Sequence, residues 1–346
     1  MGLKFKVKTS LMNSILKKRK KKKPFDLEYS ENFFASEDDF NINNSYYFSC
    51  HDYKKKESLY VRLAYRGTSV VETWVFFQKE DKSYYHDVLY YKTEDTPLFV
   101  KRIDTSVYEI KFKGQLKDEK GEYVSAELEF IFEPTREVVD FFYHAPTITM
   151  AKAIAFEKWS EQYFKQYQEN DQVHYEQVGN VKGKILLGDE SHLIDLPAVR
   201  DHSHGKRDWT YMNNHIWLMG VSKTKELNFS MVSYPTMTLL ETGNYFSDKD
   251  CYYILKCDYD RNLFINDVAP EYFEMKFKMT NKKTYIAKVK KINETPYLFQ
   301  DGGYLLIEGI CEIDIDGEKI RGILEVGFNK NKDRYFNGHK VKELKI

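Results

Sequence analysis

Between Asn44 and Tyr143 apolar and polar positions alternate. Leu59-Val61-Leu63-Tyr65, Tyr108-Ile110-Phe112 and Ala126-Leu128-Phe130-Phe132 each put an apolar residue at every second position. That is the period of a strand with one buried face. Turn signals at Arg66-Gly67, Lys79 to Lys82 and Glu119 to Gly121 separate these runs. Such spacing predicts antiparallel sheet, a sandwich or barrel, and not βαβ units. The period changes from Thr147 to Gln168, where Met150, Ile154, Phe156, Trp159, Tyr163 and Tyr167 recur mostly at steps of three and four after Pro146. This predicts one long helix linking two β domains. Strand patterns resume after Gln172 and continue to Phe328, with Asp316-Gly317 as a hairpin turn between Tyr304–Ile315 and Lys319–Phe328. The chain thus divides into a tail (1–26), an N-terminal β domain (27–145), a linking helix (146–170) and a C-terminal β domain (171–346).

Composition agrees with an all-β protein. Of the 346 residues 16% are aromatic, 27 of them Tyr, and only eight are Pro. Net charge is zero but unevenly spread. Seven of the 53 basic residues form the unbroken run Lys17 to Lys23, which leaves 46 against 53 acidic ones. A body with that acidic excess is not a nucleic-acid binder by charge. The tail reads as solvated and disordered, because its apolar patch (Leu11, Met12, Ile15, Leu16) is short. Its alternative use is a weak membrane-surface contact through Lys17 to Lys23. Cys50, Cys251, Cys257 and Cys311 show no metal or redox spacing, and no signal-like segment precedes them, so reduced thiols in a cytoplasmic protein are expected. No apolar run reaches the roughly 20 residues of a membrane-spanning helix.

Ionisable and aromatic residues crowd together from Val199 to Gly220. The stretch holds three of nine histidines and two of four tryptophans, with Arg200, Asp201, Arg207 and Asp208. Read as a strand from Val199 to Tyr211, it puts Arg200, His202 and His204 on one face and Asp201 and Ser203 on the other. Beyond a bulge at Gly205, Arg207, Trp209 and Tyr211 share a face. Asn213-Asn214 suits a tight hairpin, and His215 to Val221 an apolar return strand carrying Trp217. Buried His, Asp and Arg must bond one another, so this is either an internal polar network or a site. Asp201, His202, His204, Asp208 and Tyr211 are the candidates for acid–base work. Ligand contacts are expected from Arg200, Arg207, Trp209, His215, Trp217, Tyr234 and Tyr175. His202 and His204 at i, i+2 could also face one metal ion, with His215, Asp208 or Glu241 as a third ligand. We expect no metal and no other cofactor. Phosphate-binding glycine loops are absent from the sequence.

His174 to Gly179 (HYEQVG), Gly183 and Arg200 to Trp209 (RDHSHGKRDW) together resemble the AttH-like, double-lipocalin superfamily that includes carotenoid 1,2-hydratase (hydroxyneurosporene synthase). The family's central motif reads RDHSWGxRxW. Asn44 to Asp52 (NSYYFSCHD) and Glu72 to Trp74 (ETW) extend the likeness, which covers about residue 27 to the end. The resemblance implies two lipocalin-like barrels with a lipophilic pocket, and a small lipophilic ligand, isoprenoid-like or fatty. In the hydratases an Asp protonates a terminal double bond and water captures the cation. His202 matches the motif histidine. His204 stands where the motif has Trp, and Asn228 to Tyr234 offers no carboxylate where the family's catalytic Asp lies. A tryptophan face stabilises a cation better than an imidazole. Two readings follow: a barrel that binds an apolar molecule and hydrates or cyclises it by acid catalysis, and a carrier of such a molecule. On the first, Asp201 faces the domain junction paired with Arg207, and His202 faces the cavity with Arg200 and His204.

Overall fold

The computed structural model describes residues 2–169, 172–234, 236–264, 267–299 and 302–330, with the backbone of 335–336 and 339–340. Eleven strands form the first sheet: β1 (Ile42–Asp52), β2 (Glu57–Arg66), β3 (Val70–Lys79), β4 (Lys82–Tyr85), β5 (Tyr90–Lys92), β6 (Leu98–Asp104), β7 (Val107–Asp118), β8 (Tyr123–Pro134), β9 (Val139–Asp140), β10 (Val173–Leu187) and β11 (Glu190–Lys206). The antiparallel order β11-β1-β2-β3-β4-β7-β8-β10 returns to β11 and closes a barrel. The second sheet holds β12 (Asn214–Val221), β13 (Lys225–Tyr234), β14 (Met237–Ser247), β15 (Asp250–Asp258), β16 (Tyr272–Met279), β17 (Thr284–Lys291), β18 (Thr295–Phe299), β19 (Tyr304–Ile315) and β20 (Glu318–Asn329). It closes through β17–β19, leaving β18 outside the ring. The protein is therefore two closed eight-stranded antiparallel barrels, as the strand patterns and the family resemblance imply.

Each barrel interior is filled by apolar side chains, Phe48, Val61, Phe130 and Val181 among those in the first and Leu218, Phe229, Phe277 and Ile313 in the second. A third apolar cluster lies at the junction, with Tyr47, Trp74, Trp209, Trp217 and Tyr304. Gly322 shows how closely the strands meet in the second barrel: a Cβ there would overlap the Met219 carbonyl of β12.

Several sequence expectations change. The domain boundary is not at 171, because β10 and β11 complete the first barrel. The chain crosses over between Lys206 and Asn214, through a 3₁₀ turn at Trp209–Tyr211. The strand expected to reach Tyr211 therefore stops at Lys206, just after Gly205 at φ +119°. Asn213-Asn214 joins two sheets rather than two hairpin arms: β12 pairs with β13 and β20, not with β11. The helical segment is present in two pieces, α3 (Thr147–Phe156) and α4 (Glu161–Glu169), and leads back into the first barrel.

The N-terminal segment also differs. Leu3–Lys22 is a helix, α1, and not a disordered tail. Thr9, Met12 and Leu16 recur at helical steps on one buried stripe. They pack on Met150, Ala151 and Ile154 of α3 and on Leu240 of β14. A short second helix, α2 (Leu27–Glu31), is capped by the Asp26 side chain, which accepts from the Tyr29 backbone N–H at 3.0 Å. No helix among the described residues is long and apolar enough to cross a membrane.

Candidate active site between the barrels

Alternation along β11 sends its side chains into two different compartments. Arg200 and His202 point into the mouth of the first barrel, where Glu31 of α2 closes it. Arg200 Nη1 meets Glu31 Oε1 at 2.8 Å, and its Nη2 donates to Gln177 at 3.0 Å. Tyr108 donates to the other Glu31 oxygen. His202 Nδ1 lies 2.5 Å from the Tyr175 hydroxyl, and Nε2 lies 2.8 Å from Asn44 Oδ1. Tyr46 stacks on the His202 ring at 4.2 Å and Phe33 on His204 at 4.3 Å. Burial alone would raise the Glu31 carboxyl, but the bond from His202 and the charge of Arg200 hold it at about 2. Burial pulls both histidines down, His204 to about 4.

This is a closed polar network, and His202 is fully buried within it. Arg200, His202 and His204 lie on the barrel-facing side of β11, where the sequence reading put them, and there they seal the mouth. Tyr175, expected to touch ligand, is part of the same seal. Both ring nitrogens of His202 are bonded, so His202 and His204 cannot share a metal ion without breaking the network. Glu31 was not foreseen. It lies far from the motif in sequence, in a five-residue helix with no distinguishing pattern.

The other face of β11 borders a chamber of about 110 Å³ between the barrels. Asp201, Ser203 and Arg207 line it from the first barrel, with His174 from β10 and Arg62 from β2. Asp201 was expected to pair with Arg207. It pairs with His174, two residues from its cross-strand neighbour Glu176, while Arg207 Nη2 donates to Ser203 Oγ at 3.1 Å. His174 Nε2 is also 3.6 Å from Glu176. Burial would lower the His174 imidazole, yet Asp201 and then Glu176 lift it to about 10, so it is a cation at neutral pH. Burial pushes the Glu176 carboxyl up to about 7. These three residues bring a ligand atom each within 4.8 Å of one another, the one such grouping among the described residues that could hold a metal ion. A protonated His174 between two carboxyl groups accounts for the arrangement.

The second barrel supplies the opposite wall. His215 of β12 lies with Nε2 2.6 Å from Glu325 Oε1 and Nδ1 2.6 Å from the Tyr304 hydroxyl. The ring rests over Gly327, where any Cβ would overlap it. Tyr47, from the first barrel, donates to Glu308 at 2.5 Å. Burial and the charge of Glu325 push the Glu308 carboxyl well above the usual range. Burial would raise Glu325 too, but the bond from His215 and the charge of Arg62 keep it low. Two buried carboxyl groups side by side cannot both ionise. Glu308 keeps a proton, and its Oε2 has no other hydrogen-bond partner, which leaves that proton to the Glu325 contact. Glu325 lines the chamber. Neither carboxyl was foreseen, although Glu308 interrupts the apolar run Tyr304 to Cys311.

Aromatic rings complete the lining: Trp74, Trp209 and Trp217, with Phe141, Phe142 and Tyr234. Trp217 donates to Asn228 at 3.2 Å and meets Tyr47 edge-on. Asp208 and Tyr211 are not in the chamber. They border an adjoining antechamber of about 250 Å³ beneath α1, which shares Arg207, Met212 and Tyr234 with it. A wider cleft of about 1050 Å³, bordered by Arg136, Lys223 and Asp248, has none of these carboxyl–imidazole pairs. The motif residues thus separate into a seal (Arg200, His202, His204, Tyr175), a chamber (Asp201, Arg207, Trp209, His215, Trp217, Tyr234) and an antechamber rim (Asp208, Tyr211).

A family model described as "Domain of unknown function (DUF7064)" matches residues 34–330. No curated protein matches the sequence. Among solved structures, kievitone hydratase from Nectria haematococca is similar at 12% identity, over 86% of this chain and 93% of that one, with a TM-score of 0.51. CghA with Sch210972 is similar at 8% identity over 83% and 88%, with a TM-score of 0.50. A putative AttH from Nitrosomonas europaea aligns at 10% identity over 85% and 94%, with a TM-score of 0.47. At these identities the likeness is one of fold.

Proposed function

The chain belongs to the DUF7064 family, and we propose that its inter-barrel chamber binds a small, largely apolar molecule and performs acid-catalysed hydration or cyclisation on it. The observation that carries this reading is the buried pair Glu308 and Glu325, with one proton between two carboxyl groups and Glu325 on the chamber wall. A carboxyl group kept protonated in an apolar site is a proton donor at neutral pH.

The steps follow from the lining. Glu308 holds the proton and Glu325 is the carboxylate on the wall, so the proton passes from Glu308 through Glu325 to a double bond or carbonyl of the bound molecule, Glu325 taking it up only as it hands it on. Positive charge develops on carbon beside Trp217, whose ring has only edge contacts, while Trp74 and Trp209 are already stacked on Tyr297 and Phe299 and carry Arg62 and Arg207. An indole face stabilises a cation by roughly 0.5–2 kcal/mol. Water, or a second double bond of the same molecule, supplies the electron pair. The proton then released returns through the Glu325 carboxylate to Glu308, which restores the starting pair, so the cycle balances without a cofactor. His174 is already charged and serves better to orient an oxygen through the chamber's polar side, with Asp201 fixing its ring. A double barrel of this kind carries a hydratase in kievitone hydratase, so the fold admits the chemistry.

The test begins with occupancy. Native mass spectrometry of the purified chain is expected to show a retained small molecule. Ser230→Trp, which places a large ring in the chamber, is expected to lose it. Equal retention by both proteins would move the binding site elsewhere. A molecule retained but returned unchanged by the active chain favours a carrier.

A further inference from the structure

We propose that α1 is a membrane-docking helix that seats the protein on an anionic lipid surface. The helix has two apolar stripes. Thr9, Met12 and Leu16 face α3 and are buried. Leu3, Val7, Leu11 and Ile15 are 79, 58, 52 and 46% exposed. At about 100° per residue, steps of four drift only about 40°, so these four make one continuous stripe, roughly opposite the buried one. A helix apolar on both sides has one partner in the fold and lacks a second.

Charge identifies the second. From Met1 to Phe25 there is no acidic residue, and Lys17 to Lys23 are all basic. Lys18, Lys21 and Lys22 continue the sector of the exposed stripe along the last two turns, and all three are exposed. Lys8 and Lys20 turn inward to the carbonyls of Glu157 and Ala145. One face of α1 is therefore mainly aliphatic for three turns, with Lys4 and Ser14 within its arc, and basic for two, the pattern of a helix that lies in a bilayer interface. Nucleic acid would use the lysines but gives an aliphatic stripe nothing to bury against. The other side of the C-terminal half of α1, through Leu16, Arg19 and Lys20, lines the antechamber together with Lys23 just beyond the helix. The proposal concerns the helix and holds whatever the chamber does.

The test is co-sedimentation of the full chain with phosphatidylcholine vesicles, with and without a one-third share of phosphatidylserine. Binding is expected to the anionic vesicles alone and to weaken as salt rises. Each lysine withdrawn from an anionic surface is worth roughly fivefold, so Lys18→Glu/Lys21→Glu/Lys22→Glu, which reverses three charges, should cost at least about a hundredfold in partitioning. Val7→Gln/Leu11→Gln/Ile15→Gln should cost at least about tenfold. Both variants change exposed positions and are expected to melt with the unaltered chain. The proposal is overturned if the chain stays in solution with anionic vesicles, or if either variant sediments undiminished. It is equally overturned by a solution dimer that the glutamine variant splits, which would give the stripe to a second copy.

Discussion

Asp201 and His202 are adjacent on one strand and serve different compartments: Asp201 holds His174 at the chamber between the barrels, and His202 is locked between Tyr175 and Asn44 inside the mouth of the first. One strand thus builds both a site and its support. His202→Ala is expected to remove the partner of the Tyr175 hydroxyl and of Asn44 Oδ1 and to cost about 2–4 kcal/mol. Denaturant unfolding measures it. Asp201→Asn keeps an acceptor for His174 and should cost less, while altering what the chamber retains. A His202→Ala protein of unchanged stability that comes empty of ligand would return the site to the other face.

Stability against pH should show two limbs with named origins. Glu31 titrates at about 2 when folded against an ordinary 4.5, so its stabilisation is complete above 4.5 and lost as pH falls toward 2. The loss is about 3 kcal/mol, and Glu31→Gln should flatten it. His174 is raised from 6.5 to about 10, so its contribution is complete below 6.5 and fades as pH rises to 10. His174→Gln should flatten that alkaline limb. Curves that stay parallel to the unaltered chain's in either variant would remove that residue from the account.

Gly327 is the contact point of the second wall. A methyl group there meets the His215 ring. Gly327→Ala is expected to displace the imidazole from Glu325 and to destabilise the protein by about 1–3 kcal/mol. A structure of the variant, or the imidazole proton resonances, would show it; an unmoved His215 would contradict the packing described.

Much of this was legible beforehand, for a physical reason. Strand alternation at Leu59–Tyr65 or Ala126–Phe132 reflects burial of one face, and burial follows from composition. The opposition of Asp201 to His202 also follows from period two. What each face would meet does not. The Asn213-Asn214 pair looks like a hairpin turn because local turn chemistry cannot tell whether the next strand joins the same sheet. Met12 and Leu16 looked too few to fold a tail, since their partner stripe on α3 lies over a hundred residues away. Glu31, Glu308 and Glu325 come from three separate stretches, and only closure of the barrels brings them to β11 and β12.

The central claim is that the proton shared by Glu308 and Glu325 is delivered to a molecule in the chamber. The most direct measurement is mass spectrometry of the retained molecule after incubation in deuterated water, with the unaltered chain and with Glu325→Gln, which keeps the shape but not the carboxylate. The account predicts carbon-bound deuterium in the product from the unaltered chain and none from the variant, with both proteins folded and both occupied. Equal labelling by the two, or none by an occupied unaltered chain, would contradict it.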